Sequence, residues 1–193
     1  MLATLISRIR RNHGLEHASI HVLSERHHNF SAQGHSNHAG FSLNIYGDIS
    51  EQEVTAAVEE AYRRMKNGER ELAIHPNCGT ALLTSAALAA LAAQAAFALE
   101  QRRQRQPRFN FTVLFNALPG AILATAVALI LSRPLGLFFQ EQFTVEGDLG
   151  ELKLVSIEEV RPSPVTRFFQ LLLAPGKKLA ARSYKVKTVD KST

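Results

Sequence analysis

The chain has 193 residues, 22 Lys+Arg against 17 Asp+Glu, and a formal net charge of +5. Its single Cys excludes an intramolecular disulfide, a multi-cysteine zinc ribbon and an iron–sulfur cluster held by this chain alone. An apolar share of 46% excludes a disordered chain.

The first predicted element is an amphipathic helix from Leu2 to about Ser24. At 100° per residue, Leu2, Ile6, Ile9, His13 and Ile20 share one stripe, flanked by Glu16 and His17. Residues 25–40 are rich in His, Asn, Ser and Gly and read as a loop, with His27, His28, His35 and His38 facing solvent. Phe41 to Tyr46 alternates apolar and polar residues, the period of a half-buried strand. Ser50 followed by Glu53 is a capping box. The helix it opens carries Val54, Ala57, Val58, Ala61, Tyr62 and Met65 on one face and stops at Gly68. Leu72 to Ile74 reads as a short strand. Together these make a small α-β-α-β domain over residues 1–79, of the α+β class.

The mean hydropathy is close to neutral, but the apolar residues are not evenly spread. Thr80–Leu99 and Phe111–Leu131 carry no charge, and each has about the 20 residues that cross a bilayer core. Neither has the polar stripe of a soluble helix. They are joined by the basic turn from Glu100 to Arg108, and Thr80 reads as the N-cap of the first. Residues 80–135 are therefore expected to form a transmembrane helical hairpin, and the chain a multi-pass protein of the cell membrane with the lipid bilayer as its partner. Basic short loops favour the cytoplasmic side for the turn.

Residues 136–193 are expected to hold a β-hairpin, Phe143–Glu146 against Leu152–Ile157 around Gly147-Asp148. A linker at Arg161–Pro164 and a basic tail follow. Val165–Arg182 is apolar first and basic later, which suits either a membrane-surface helix or a tail helix docked on the N-terminal domain. Lys and Arg cluster beside apolar segments without stacking aromatics, which argues against nucleic acid as a partner.

His13-Gly-Leu-Glu-His17 has the form H-x-x-E-H. Two imidazoles four residues apart lie one helical turn apart on one face and can bind one metal ion. Glu16 between them is placed to act as general base toward a metal-bound water. In form the motif is similar to that of the inverted zinc peptidases, over these five residues only. His13 stands where an apolar stripe calls for Leu, and a buried imidazole needs partners for both nitrogens. A metal meets that need; so does a core histidine paired with Glu16. In His75-Pro-Asn-Cys78, His75 and Cys78 read as further zinc ligands, making a His3Cys or His2Cys set. Two alternatives stand beside that reading: a tight turn capping the next helix, and a Cys78 nucleophile with His75 as its base.

The pairing of His13-Gly-Leu-Glu-His-Ala18 with His75-Pro-Asn-Cys-Gly-Thr80 ahead of a membrane hairpin resembles a family of uncharacterised bacterial membrane proteins, a domain of unknown function. The resemblance extends to the Gly147-Asp-Leu-Gly150 turn. It implies no activity, only that the two clusters belong together. The expected function is a membrane metalloprotein, a zinc-dependent hydrolase with His13, His17, His75 and Cys78 as ligands and Glu16 as base. The alternative is a non-catalytic assembly or interaction subunit among other membrane-protein subunits.

Overall fold

The computed structural model describes residues 2–105, 108, 110–164, 166–168 and 182–190. The chain divides into two compact units. The first joins residues 1–75 to 143–193, and the second holds residues 76–142.

The first unit is a mixed helix–sheet layer. Helix α1 spans Leu2–Arg26 and α2 spans Glu51–Lys66. Four antiparallel strands, β1 (Ser31–Asn37), β2 (Gly40–Tyr46), β3 (Leu152–Val160) and β4 (Arg182–Asp190), form one sheet in the order β1-β2-β4-β3. The expected capping box is present: Glu53 N–H donates to the Ser50 hydroxyl, and the Glu53 carboxylate accepts from the Ser50 N–H. Period-2 alternation puts Phe41, Leu43 and Ile45 of β2 beside Tyr184 and Val186 of β4 on one buried face. Leu15, Ala18, Val22 and Leu23 of α1, with Val54, Ala57, Val58 and Ala61 of α2, complete that core. Each fully buried Leu or Val is worth about 1.5–3 kcal/mol of transfer free energy.

Four expectations fail here, for physical reasons. Residues 31–37 are strand β1 rather than loop, because β2 supplies a full ladder that the local sequence does not advertise. Leu72–Ile74 forms no strand; Arg70–Ala73 closes into a single 3-10 turn. The hairpin between 143–146 and 152–157 does not form. Gln140–Thr144 is a wide helical turn, and β3 pairs instead with β4 at the far end of the chain, Leu152 against Asp190 and Ile157 against Val186. Arg182–Asp190 is thus a central strand of the sheet rather than part of a basic tail. Of the segment 165–182 read as a surface or tail helix, nearly all lies outside the described residues.

Gly40 shows why β1 and β2 turn where they do. Its φ is +139°, and a Cβ there would lie 2.0 Å from the Val186 carbonyl oxygen, so neither the backbone conformation nor the space admits a side chain.

The second unit is a helical hairpin of α3 (Gly79–Arg103) and α4 (Phe111–Phe139). Asn110 caps α4 by accepting from Val113 N–H. Thr80 is not the cap of α3: Cys78 holds that position, with extended backbone, and Thr80 lies inside the first turn. Helix α4 runs through Ser132 and Pro134 to Phe139, past the end expected near residue 135. Small residues let the two helices approach closely. A Cβ on Gly136 would come 2.9 Å from Ala81 Cα, and the Ser85 and Ser132 hydroxyls bond at 2.7 Å. Both helices are long and apolar enough to cross a membrane. Leu83, Phe111, Ile122 and Ile130 are mostly exposed.

Candidate metal centre

Helix α1 presents two polar rows to the rest of its unit. Asn12 and Glu16 face the sheet. Asn12 is fully buried, donates to the Asn37 carbonyl at 2.7 Å and accepts from the Thr188 hydroxyl at 2.6 Å. The Ser36 hydroxyl of β1 donates to the Glu16 carboxylate. Glu16 is 4% exposed, and burial pushes its carboxyl above the ordinary value of 4.5. The Ser36 hydrogen bond and the nearby His13 and His35 pull it down only in part.

The second row is His13, His17 and His21, spaced i, i+4, i+8. Each ring meets a backbone carbonyl of a segment packed against α1. His13 Nδ1 donates to Thr144 O at 3.0 Å, His17 Nδ1 to Ala73 O at 2.6 Å, and His21 Nε2 to Ile74 O at 2.8 Å. A carbonyl can only accept, so the facing ring nitrogen must carry the proton. In the neutral ring the lone pair then sits on Nε2 of His13 and His17, and on Nδ1 of His21. Carbonyl support of this kind holds ligating histidines in one tautomer and one orientation.

Gly14 makes the arrangement sterically feasible. A Cβ there would lie 2.5 Å from the Glu146 carbonyl oxygen and 3.1 Å from Ala73 Cβ. The H-G-L-E-H spacing therefore brings α1 tight against the two segments that supply the supporting carbonyls. Arg10 ties the same segment down, donating to Val145 O at 2.8 Å.

The rings are close together. His13 and His17 have centroids 4.4 Å apart, His17 and His75 5.8 Å, and His21 and His75 4.8 Å. Burial, with His21 and His17 alongside, drives His75 down to about 4, so its ring is neutral at pH 7. Cys78 is buried and lies three residues beyond His75, a span of at most about 11 Å of chain. His13, His17 and His75 thus offer three neighbouring imidazoles within the first unit.

Of the sequence-predicted residues, His13, His17 and His75 thus come together in the first unit, with Cys78 tethered to His75. Glu16 lies on the adjoining, sheet-facing side of α1. His21, which continues the spacing at the edge of the apolar stripe, was left out of the expected ligand set, and Ser36 was passed over. The i+4 continuation from His17 was a signal for His21. No local signal marked Ser36, because only strand pairing brings it beneath α1.

Among the curated proteins, an uncharacterised protein of Picosynechococcus sp. is 35% identical over 161 residues, covering 78% of this chain and 72% of that protein. No solved structure matches the chain. The family described as Domain of unknown function (DUF6391) matches residues 8–157, a span that holds both histidine-bearing motifs and the apolar hairpin, and the chain belongs to it.

Proposed function

We propose that this chain is a membrane-anchored metalloprotein whose ion is held by His13, His17 and His75, with zinc the best chemical match and hydrolysis the reaction. The observation that carries the reading is the pair of carbonyl-supported imidazoles one helical turn apart. Three imidazoles suit zinc, and three protein ligands leave a tetrahedral ion one position for water or substrate. A zinc ion in such a site supplies a water acidified to a pKa of about 7. Glu16, desolvated and raised, is the proton acceptor this reading assigns. The bilayer enters through α3 and α4, whose large apolar side chains are mostly exposed and need an apolar solvent.

Full-length protein purified in detergent without chelator should carry about one equivalent of transition metal, the count that a three-ligand zinc site holds. His13→Ala should lose it. Glu16→Gln should keep the metal and lose hydrolysis of an activated ester. Folded wild type without metal would overturn the metal reading. Undiminished hydrolysis by Glu16→Gln would overturn the catalytic one.

A second reading has its own support. The Ser36 hydroxyl occupies the Glu16 carboxylate, and Asn12 beside it is satisfied on both sides. Such a closed polar seam suits a non-catalytic subunit whose clusters lock the domain for assembly with other membrane proteins. In that case Glu16→Gln alters stability alone.

A further inference from the structure

We infer that the start of α1 is a foot that rests in the headgroup layer of a lipid bilayer, with Leu2, Leu5 and Ile6 turned toward the acyl chains. The inference rests on the proposed reading of α3 and α4 as membrane helices and adds a lipid contact made by the other unit.

The buried residues of α1 begin only at Asn12, and none of residues 2–11 is buried. At 100° per residue, Leu2, Leu5, Ile6 and Ile9 fall within about 100° of arc, the width of one helix face. Leu2, Leu5 and Ile6 are exposed, Leu2 at 72%. The core of the unit therefore leaves this face uncovered. Large apolar side chains grouped on one exposed turn mark a contact surface. Arg8 flanks the stripe on one side and Arg10 on the other. An apolar face bordered by cations is the pattern of a helix lying in a membrane surface, where arginine meets headgroup phosphate.

What covers the face follows from where α1 is tied. His13 Nδ1 donates to Thr144 O at 3.0 Å, and Glu146 N–H donates to Arg10 O at 3.0 Å. Arg10 in turn donates from its side chain to Val145 O at 2.8 Å. These bonds fasten α1 to residues 144–146, just past its uncovered turns. Thr144 is also the last residue of the apolar helical stretch Phe111–Thr144, which is long enough to cross a membrane. Where that stretch crosses, its end lies at the bilayer surface. Its end is thus bonded to α1 within two turns of Ile6, and the uncovered apolar face begins at the level of the lipid. Phe143, 65% exposed, adds an apolar ring at the same place.

The test uses full-length protein in vesicles of phosphatidylcholine and phosphatidylglycerol. A small thiol-reactive fluorophore is placed at Leu5→Cys, and at Ile6→Cys in case the first variant folds poorly. Cys78 is buried, so brief labelling of folded protein marks the introduced thiol, and wild type labelled in the same way sets the blank. Lipids brominated next to the headgroup should quench both labels, and lipids brominated at the chain ends should not. A label at Val127→Cys, near the middle of the apolar stretch, should show the reverse. A label at the exposed Lys185→Cys of β4 should be quenched by neither. Quenching at Val127 but at neither Leu5 nor Ile6 would overturn the foot and leave the membrane helices standing; a second copy of the chain covering the face would give this result. Quenching of Leu5 and Ile6 from the chain ends would also overturn it, by making the start of α1 a buried insertion. Equal quenching at Lys185 would overturn it as well, since the face would then hold no special contact. If Val127 is quenched by neither lipid, the membrane reading falls and the foot falls with it.

Discussion

The two units bury their residues by opposite rules. In the first, Leu15, Leu43 and Val58 are fully buried. In the second, Val113 apart, the buried residues among those described are small or polar, such as Ala81, Ala117, Ser132 and Gly136, while Ile122 is 66% exposed. A water-soluble core gathers its large apolar side chains, because transfer from water drives folding. Helices in an apolar solvent gain nothing from that. They associate through close backbone approach and a few hydrogen bonds, and they turn their large side chains outward. On the proposed reading of α3 and α4 as membrane helices, one chain carries two solutions to the same problem, each suited to a different solvent.

The largest expected effect sharpens this contrast. Leu43→Ala should cost the first unit about 2–5 kcal/mol in denaturant unfolding, the range for truncating a buried Leu. Ile122→Ala should leave that transition within about 0.5 kcal/mol of wild type, as for exposed positions. Equal losses would mean that both units face one solvent, and the contrast would collapse.

Next in size is Asn12→Ala. It strands the Asn37 carbonyl and the Thr188 hydroxyl inside the first unit and should cost about 1–3 kcal/mol. A neutral result in chemical denaturation would show that water reaches the seam. Smaller still is Ser85→Ala in the second unit. Loss of the Ser85–Ser132 bond should weaken the hairpin by about 0.6 kcal/mol, measured by unfolding in detergent. A loss as large as that of Asn12→Ala would mean that polar pairs count equally in both regions.

The last prediction changes a slope rather than a level. Glu16 is an acid with a raised pKa, so the folded state keeps its proton to higher pH than the unfolded chain. Between 4.5 and the raised value, the folded state binds more protons, and stability falls as pH rises. In Glu16→Gln that fall should vanish, and the variant should melt no lower than wild type at pH 7, because Gln can still accept from Ser36. Parallel pH–melting curves for the two proteins would show that Glu16 ionises in the fold as it does in water.

Much of this was legible locally. The capping box at Ser50, the alternation in Phe41–Tyr46 and the uncharged runs after residue 79 each carry their meaning within a few residues. The i, i+4 pair His13 and His17 was legible for the same reason, since a helix converts that spacing into proximity. The failures share the opposite cause. Ser31–Asn37 is polar and sits at the sheet edge, so no core-facing stripe announces it. Arg182–Asp190 does alternate, but its partners are β2, more than 130 residues earlier, and β3. Strand pairing at such separation leaves no mark in a short window.

The sequence by itself determined the helices, the apolar hairpin and the pairing of two imidazoles on one helix face, because these follow from backbone periodicity and side-chain chemistry. Tertiary structure alone decided which carbonyls hold those rings and that His21 and His75 extend the row. It also decided that Glu16 turns to Ser36 and that the end of the chain closes the sheet. The physical reason is common to all four: each depends on segments that are distant along the chain, brought together only when a shared core excludes water from between them.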